Sequence, residues 1–119
     1  MREPPHRILR EVYRHYLEFK DYVTKTGESV IEHGYEIEHE DGTIEKVSVS
    51  ISFWDLHYGL KDLAPRKREA VFHNVILDKK QRDVAEIMDI TTVSVGQYVE
   101  AAMEQLAKRY FAEETVVVR

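Results

Sequence analysis

The sequence predicts an α+β domain that is mainly helical, and three observations support this class. Apolar residues recur at spacings of three and four over most of the chain, as they do on the buried face of an amphipathic helix. One segment, residues 35–51, changes to a period of two around Asp41-Gly42, which is typical of a β-hairpin. A chain of 119 residues with a hydrophobic fraction of 43% is large enough for one core.

Composition and charge limit the classes of function. The chain has no cysteine, so we expect neither disulfides nor a thiolate metal site. We also expect a location in the reducing cytoplasm. No apolar run approaches the ~20 residues that cross a bilayer, so no membrane partner is expected. The net charge of −5 is concentrated in residues 26–46, which carry seven acidic residues and one basic residue. The rest of the chain is nearly neutral, and contact with a polyanion there is compatible with an acidic protein.

An N-terminal helix is predicted from about Pro5 to Val23, because proline suits the first helical turn and apolar residues follow at helical spacing. The face is rich in aromatic residues, which favours a core position or an interface between copies. The oligomerisation candidates on this helix and on the hairpin are Val12, Tyr16, Phe19, Tyr35 and Ile37.

The hairpin is predicted to turn at Asp41-Gly42 through a two-residue loop in which both central residues have positive φ. Ile44 is out of phase with Val47, which predicts either a bulge near Glu45-Lys46 or a longer loop. A two-stranded hairpin alone is marginal in water and must pack on a helix or pair with a second copy. We therefore expect a homodimer or a higher oligomer.

The rest of the chain is predicted to be helical up to a short tail. Ser52 is expected to cap a helix together with Asp55, and Pro65 is expected to begin the next one. The predicted organisation is an accessory, oligomerising part at 1–51, a helix-turn-helix domain at 52–111, and an extended C-terminal tail at 112–119.

Residues 79–111 have the pattern of a helix-turn-helix. A short apolar helix is followed by a bend at Met88-Asp89-Ile90 and by a longer helix that Thr91 is placed to cap. Ala85 lies where the two helices would cross. These positions favour the helix-turn-helix fold and do not by themselves show whether its surface binds DNA.

The stretch "LAPRKREAVFHNVILDKKQRDVAEIMDITTVSVGQYVEAAMEQL" resembles region 4 of bacterial sigma factors, the domain that reads an upstream promoter element. The positions in register are Leu63, Pro65, Arg66, Arg68, Glu69, Val71, Gln81, Val84, Ala85, Ile90, Thr91, Val95, Ala102 and Leu106. The resemblance spans residues 63–107 and implies a four-helix DNA-binding unit, as in small phage or mobile-element regulators. This chain departs from the family at Asp89, where glycine is usual, and at Gly96, Tyr98 and Ala101, where the family tends to be basic.

The expected partner is double-stranded DNA, bound through the first turns of the second helix. The base-reading candidates there are neutral and form hydrogen bonds: Thr92, Ser94, Gln97 and Tyr98. The phosphate-binding candidates are Arg66, Arg68, Lys79, Lys80, Gln81, Arg82 and Thr91. Glu100 and Glu104 must point away from DNA for this prediction to hold.

Two other functions are compatible with the same pattern. Small terminase subunits of tailed phages also join a helix-turn-helix to an oligomerising segment. An interaction-only module that docks on RNA polymerase or on another regulator is the second alternative. An enzyme is not expected, because the sequence has no nucleophile motif, no metal-ligand spacing and no Gly-rich phosphate loop. No catalytic residue, metal or cofactor is therefore predicted.

Overall fold

Helices make up most of the chain, and one antiparallel hairpin is inserted between the second and third. The computed structural model describes residues 5–117, and at residues 5–7, 35, 37, 47, 49 and 111–117 it describes the backbone alone. The mainly helical α+β class predicted from the sequence is confirmed. The elements in chain order are α1 (Pro5–Arg14), α2 (Tyr16–Thr26), β1 (Val30–Glu38), β2 (Ile44–Ser52), α3 (Phe53–Asp62), α4 (Pro65–Val71), a π-helical turn (Phe72–Ile76), α5 (Gln81–Met88) and α6 (Thr92–Val117).

The single N-terminal helix predicted from Pro5 to Val23 is wrong. The chain leaves helical geometry at His15 and resumes as α2, which ends at Gly27 with a φ of 79°. The break allows two directions of packing, since α1 contacts α6 and the π-helical turn while α2 contacts α3.

The hairpin turns through a loop longer than two residues, so the longer loop, one of the two predicted alternatives, is confirmed. β1 and β2 pair without interruption from Val30 opposite Ser52 to Glu38 opposite Ile44, so there is no bulge near Glu45-Lys46. His39 and Gly42 close the turn, as the Gly42 N–H donates to the His39 oxygen at 2.9 Å. The His39 N–H also donates to the Thr43 oxygen at 2.9 Å, so residues 40–42 form a three-residue loop inside this pair. Within the loop only Gly42 has a positive φ, 90°.

Polar contacts on one face of the hairpin lower the pKa of a carboxylate, that of Glu32. The Glu32 carboxylate accepts hydrogen bonds from the hydroxyls of Ser48 at 3.0 Å and Ser50 at 2.6 Å. These two bonds, that of Ser50 foremost, hold the pKa of Glu32 below its usual value because they favour the charged form.

Phe53 ties the hairpin to the helices. Its N–H donates to the Ser29 oxygen at 2.7 Å, whereas the Ser52 side chain makes no capping hydrogen bond, so the predicted capping box is wrong. The Phe53 ring is buried and lies 5.2 Å from the ring of Tyr16 and 5.5 Å from that of Phe19. Aromatic contacts of this kind join α2, α3 and the base of β2.

One hydrophobic cluster runs from α1 to α6. It joins Ile8, Leu9 and Tyr13 of the first helix to residues of α4, α5 and α6. The Tyr13 side chain is fully buried, its hydroxyl donates to the Leu56 oxygen at 3.0 Å, and burial raises the pKa of that hydroxyl. The segment predicted to be accessory therefore contributes to the core on which α5 and α6 lie.

Up to Val117 the C-terminal segment differs from the extended tail predicted for residues 112–119, and the last two of these residues lie outside the described part of the chain. α6 continues without a break from Thr92 to Val117. Within the described part of the chain, no helix combines the length and the apolar character that a membrane span needs.

Candidate nucleic-acid interface

The turn between α5 and α6 is held by local backbone bonds. Asp89 has a φ of 57° and a ψ of 49°, the left-handed conformation that ends many helices. The Ile90 N–H donates to the Ala85 oxygen at 3.0 Å, and the Asp89 N–H donates to the Glu86 oxygen at 3.3 Å. Ile90 packs against the core as a partly buried residue. Aspartate thus takes the place of the usual glycine at this turn, and the geometry is kept.

Thr91 begins α6 as the sequence predicts. Its hydroxyl oxygen accepts a hydrogen bond from the Ser94 N–H at 3.0 Å, which satisfies one of the free donors of the first turn. The Thr91 hydroxyl also donates to the Ser94 hydroxyl at 2.9 Å. Both hydroxyls are therefore used by the cap, and Ser94 has less freedom to read a base than its position in the sequence indicates.

The front of α6, defined here as Thr92, Val93 and Gln97, is not covered by any described part of the chain. Val93 is 69% exposed, and Thr92 and Gln97 are both exposed. The hairpin approaches α3 through β2 and does not pack on this surface. The front of α6 is therefore open towards solvent within one chain.

The exposed face of α6 changes from neutral to acidic along the helix. Positions 93, 97, 100 and 104 follow the spacing that places residues on one helical face. The first two are Val93 and Gln97, and the next two are the exposed carboxylates Glu100 and Glu104. Glu100 and Glu104 therefore share the face of Gln97 and do not point away from it, contrary to the condition that the DNA prediction set. The neutral part of this face covers about two turns, and a polyanion could approach only that end.

Two of the predicted base readers are better placed than the others. Thr92 and Gln97 are exposed, whereas Tyr98 is half-buried and packs against the core. Val93 was not among the predicted residues, although it lies four positions before Gln97 and so shares its face. An exposed valine on a polar surface is the signal that could have identified it, since an apolar side chain can contact a thymine methyl.

The start of α5 supplies cations beside the front of α6. Lys79, Lys80 and Arg82 are exposed, and none of them has an ion-pair partner among the described side chains. The Gln81 side chain of α5 lies against α6 at Gly96. A Cβ atom added to Gly96 would be 3.4 Å from the side-chain oxygen of Gln81. Of the predicted residues 79–82, Gln81 thus lies next to the second turn of α6, and the three cations are its neighbours in the chain.

The two arginines predicted to bind phosphate separate in the structure. Arg66 approaches the end of α5, where its Nη1 lies 3.5 Å from the Met88 oxygen, and it remains beside the turn. Arg68 donates to the Lys61 oxygen at 3.1 Å and lies between α3 and α4. The start of α4 therefore directs Arg66 and Arg68 to different neighbours, and the assignment of Arg68 as a phosphate contact stays a prediction.

The oligomerisation candidates on the N-terminal helices are inside the chain. Val12, Tyr16 and Phe19 are between 6% and 7% exposed and belong to the core cluster, so they offer almost no surface to a second copy in this conformation. The Tyr35 and Ile37 side chains lie outside the described residues. The sequence pattern did not distinguish an interface from a core, because both have the same apolar spacing.

The described side chains form no cluster that could hold a metal ion. Across the described side chains, no three His, Asp or Glu residues converge on a common point. The comparisons with known proteins do not add a relative: no family model, curated protein or solved structure matches this chain.

Proposed function

We propose that this protein binds double-stranded DNA, with the front of α6 in the major groove and the start of α5 against the phosphate backbone. The observation that carries the proposal is the exposed pair Val93 and Gln97 on α6, together with three exposed cations at the start of α5 that lack an ion-pair partner within the described residues. Gln81, in the same segment as these cations, lies against Gly96 of α6. Gln97 is suited to the adenine edge, and Val93 is suited to a thymine methyl. Lys79, Lys80 and Arg82 would contact phosphates without regard to sequence.

The resemblance to sigma-factor region 4 makes a transcription regulator of phage or mobile-element type the preferred biological role. Support comes from the left-handed Asp89, the Thr91 cap and the open front of α6, all of which that role requires. A small-terminase-like packaging protein would use the same surface within a larger ring.

A second candidate function is an interaction-only module. The exposed carboxylates Glu100 and Glu104, on the same face as Gln97, favour it because they would repel phosphate if α6 lay flat in the groove. A basic surface on RNA polymerase or on another regulator would be the partner of such a face.

Fluorescence anisotropy on labelled duplexes tests the DNA proposal. We expect binding at micromolar protein in ~50 mM salt, since nonspecific phosphate contact alone is detectable there. Lys80→Ala should weaken binding to every sequence and reduce the salt slope by about one unit. The matched control is Lys25→Ala, which replaces an exposed lysine on α2. It should change neither the affinity for DNA nor the salt slope.

Sequence reading is tested by Gln97→Ala on a duplex selected from random oligonucleotides. The expected loss is about 1–3 kcal/mol on the selected site and little on unrelated DNA. Absence of any binding at ~50 mM salt would exclude the DNA proposal and leave the interaction-only module. A uniform loss on all sequences would show that Gln97 contacts the backbone.

A further inference from the structure

The hairpin ends in an acidic tip that no described part of the chain neutralises. The tip is defined as residues 38–44, and it exposes Glu38, Glu40 and Asp41. Neither Glu38 nor Glu40 forms an ion pair with a described side chain. Ile44 pairs directly with Glu38 across the strands and is 57% exposed. The tip therefore combines carboxylates with one exposed branched apolar side chain.

A groove of complementary character lies on the helical body. It has a volume of about 430 Å³ and is formed by α2, α3, α4 and the π-helical turn. Its apolar wall includes Leu17 and Phe72, which are 44% and 38% exposed. Large apolar side chains exposed beside each other in a concave surface are unusual unless something covers them.

The rim of this groove is basic. Lys20, Lys61 and Arg68 line it together with one carboxylate, that of Glu69. Glu69 already has Arg66 at 3.9 Å, so it does little to neutralise the lysines. Lys20 forms no ion pair with a described side chain, and the Lys61 ammonium lies 6.0 Å from the centre of the Tyr58 ring.

We propose that the groove receives the hairpin tip of a second copy, and that two copies exchange tips reciprocally. Ile44 would occupy the apolar wall, while Glu38 and Glu40 would approach Lys20 and Lys61 at the rim. Each chain carries both surfaces, so one two-fold axis satisfies both contacts at once. This arrangement also gives the two-stranded hairpin the additional partner that such hairpins need for stability in water.

The length of the hairpin agrees with this exchange. Nine-residue strands extend ~30 Å from their base, too far for the tip to reach a groove on its own body near that base. The groove residues His57 and Lys61 lie four and eight positions after Phe53, where β2 becomes α3. Two hairpins lying antiparallel would thus place each tip near the base of the other, where the groove is.

A charge-swap experiment tests the proposal without DNA, so its outcome is independent of the proposed function. The groove variant is Lys20→Glu with Lys61→Glu, and the tip variant is Glu38→Lys with Glu40→Lys. Sedimentation equilibrium in ~50 mM salt should show a dimer for the wild type and a monomer for each variant alone, because like charges then meet. An equimolar mixture should form a heterodimer, since both of its contacts again pair opposite charges.

The control carries the same change in charge elsewhere. Lys25→Glu with Lys108→Glu alters two exposed lysines outside the groove and should remain dimeric. A chain that combines the groove and tip variants should dimerise with itself. If circular dichroism shows that a reversed variant is unfolded, Lys20→Gln with Lys61→Gln is used instead and should weaken dimerisation roughly tenfold.

Three results would overturn the exchange. A wild type that stays monomeric up to ~100 µM would show that the two surfaces do not meet with useful affinity. Dimers formed equally well by both variants would place the contact elsewhere, for example between hairpin strands. Loss of the dimer in the groove variant alone, with no rescue on mixing, would assign the groove to a different occupant.

Discussion

Helices α4–α6 and the β1–β2 hairpin differ in how completely the rest of the chain covers them. Val71, Val84 and Val95 are fully buried and belong to one core with α1. On the hairpin, Ile51 at the base is buried, whereas Val30 and Ile44 are more than half exposed. Packing against several other helices therefore fixes the orientation of α6. The hairpin is positioned mainly by its junction with α3.

This difference separates two kinds of surface. A surface that reads DNA requires side chains on a rigid helix, and the front of α6 meets that requirement through the Asp89 turn and the Thr91 cap. A projecting hairpin is stabilised when it contacts a partner. Beyond its base, the hairpin has little such contact with the described part of its own chain. Substitutions in the two regions should therefore have different consequences.

The largest expected effect on stability is at Leu106, which is 1% exposed in the core. Leu106→Ala should reduce the free energy of unfolding by about 2–5 kcal/mol, because it removes buried methyl groups and leaves a cavity. Ile44→Ala, the matched change on the hairpin tip, should stay within about 0.5 kcal/mol in a monomer. Urea unfolding of both variants at low protein concentration measures the difference. Equal losses would show that the hairpin is as firmly packed as the core.

The cap of α6 should have a smaller effect. Thr91→Ala removes the hydrogen bond from the Ser94 N–H and should cost about 1 kcal/mol of stability. Thr92→Ala alters the next residue, which is exposed and begins the helix, and should change urea unfolding by less than about 0.5 kcal/mol. The same loss in both variants would argue against a specific role for the Thr91 hydroxyl.

Gly96 provides a test in which stability and binding move in opposite directions. Gly96→Ala should raise the free energy of unfolding by up to about 1 kcal/mol, since a Cβ atom there meets Gln81 only at 3.4 Å. DNA affinity should fall, because the added methyl group would crowd the side chain of Gln81, a predicted phosphate contact, and shift it. In contrast, Gly59→Ala should destabilise, as its Cβ atom would lie 2.9 Å from a Leu106 methyl. Unchanged DNA affinity for Gly96→Ala would show that the position of the Gln81 side chain does not matter for binding.

The smallest expected effect concerns the polar face of the hairpin. Glu32 has a lowered pKa, so the contribution of its hydrogen bonds is present at neutral pH and is lost as the pH falls through that lowered pKa. Ser48→Ala with Ser50→Ala should move the pKa of Glu32 upward towards its ordinary value, as measured by carbon-detected NMR titration. An unchanged pKa would mean that the two hydroxyls do not bond to this carboxylate in solution.

Short-range signals account for what the sequence predicts correctly. The turn at Asp89, the Thr91 cap and the start of α4 at Pro65 each depend on residues within one or two turns. The burial of Val84, Ala85 and Val95 follows from helical spacing alone.

Features that depend on distant packing were not predictable. The break at His15 exists because α1 and α2 pack on different helices, and the position of Arg68 depends on how α4 meets α3. The Asp41-Gly42 pair alone did not decide between a bulge and a longer loop, because that choice depends on how the whole strands pair. Whether an apolar face is core or interface likewise depends on neighbours far along the chain.

Amide NMR spectra with and without a DNA duplex test the central claim most directly. In ~50 mM salt we expect DNA to shift the signals of residues 79–82 and of Thr92, Val93 and Gln97, including the side-chain amides of Gln81 and Gln97. Signals of the hairpin, such as those of Ser48 and Ser50, should not move. No shifts, or shifts confined to the hairpin and the groove, would contradict the assignment of the front of α6 as the DNA-binding surface.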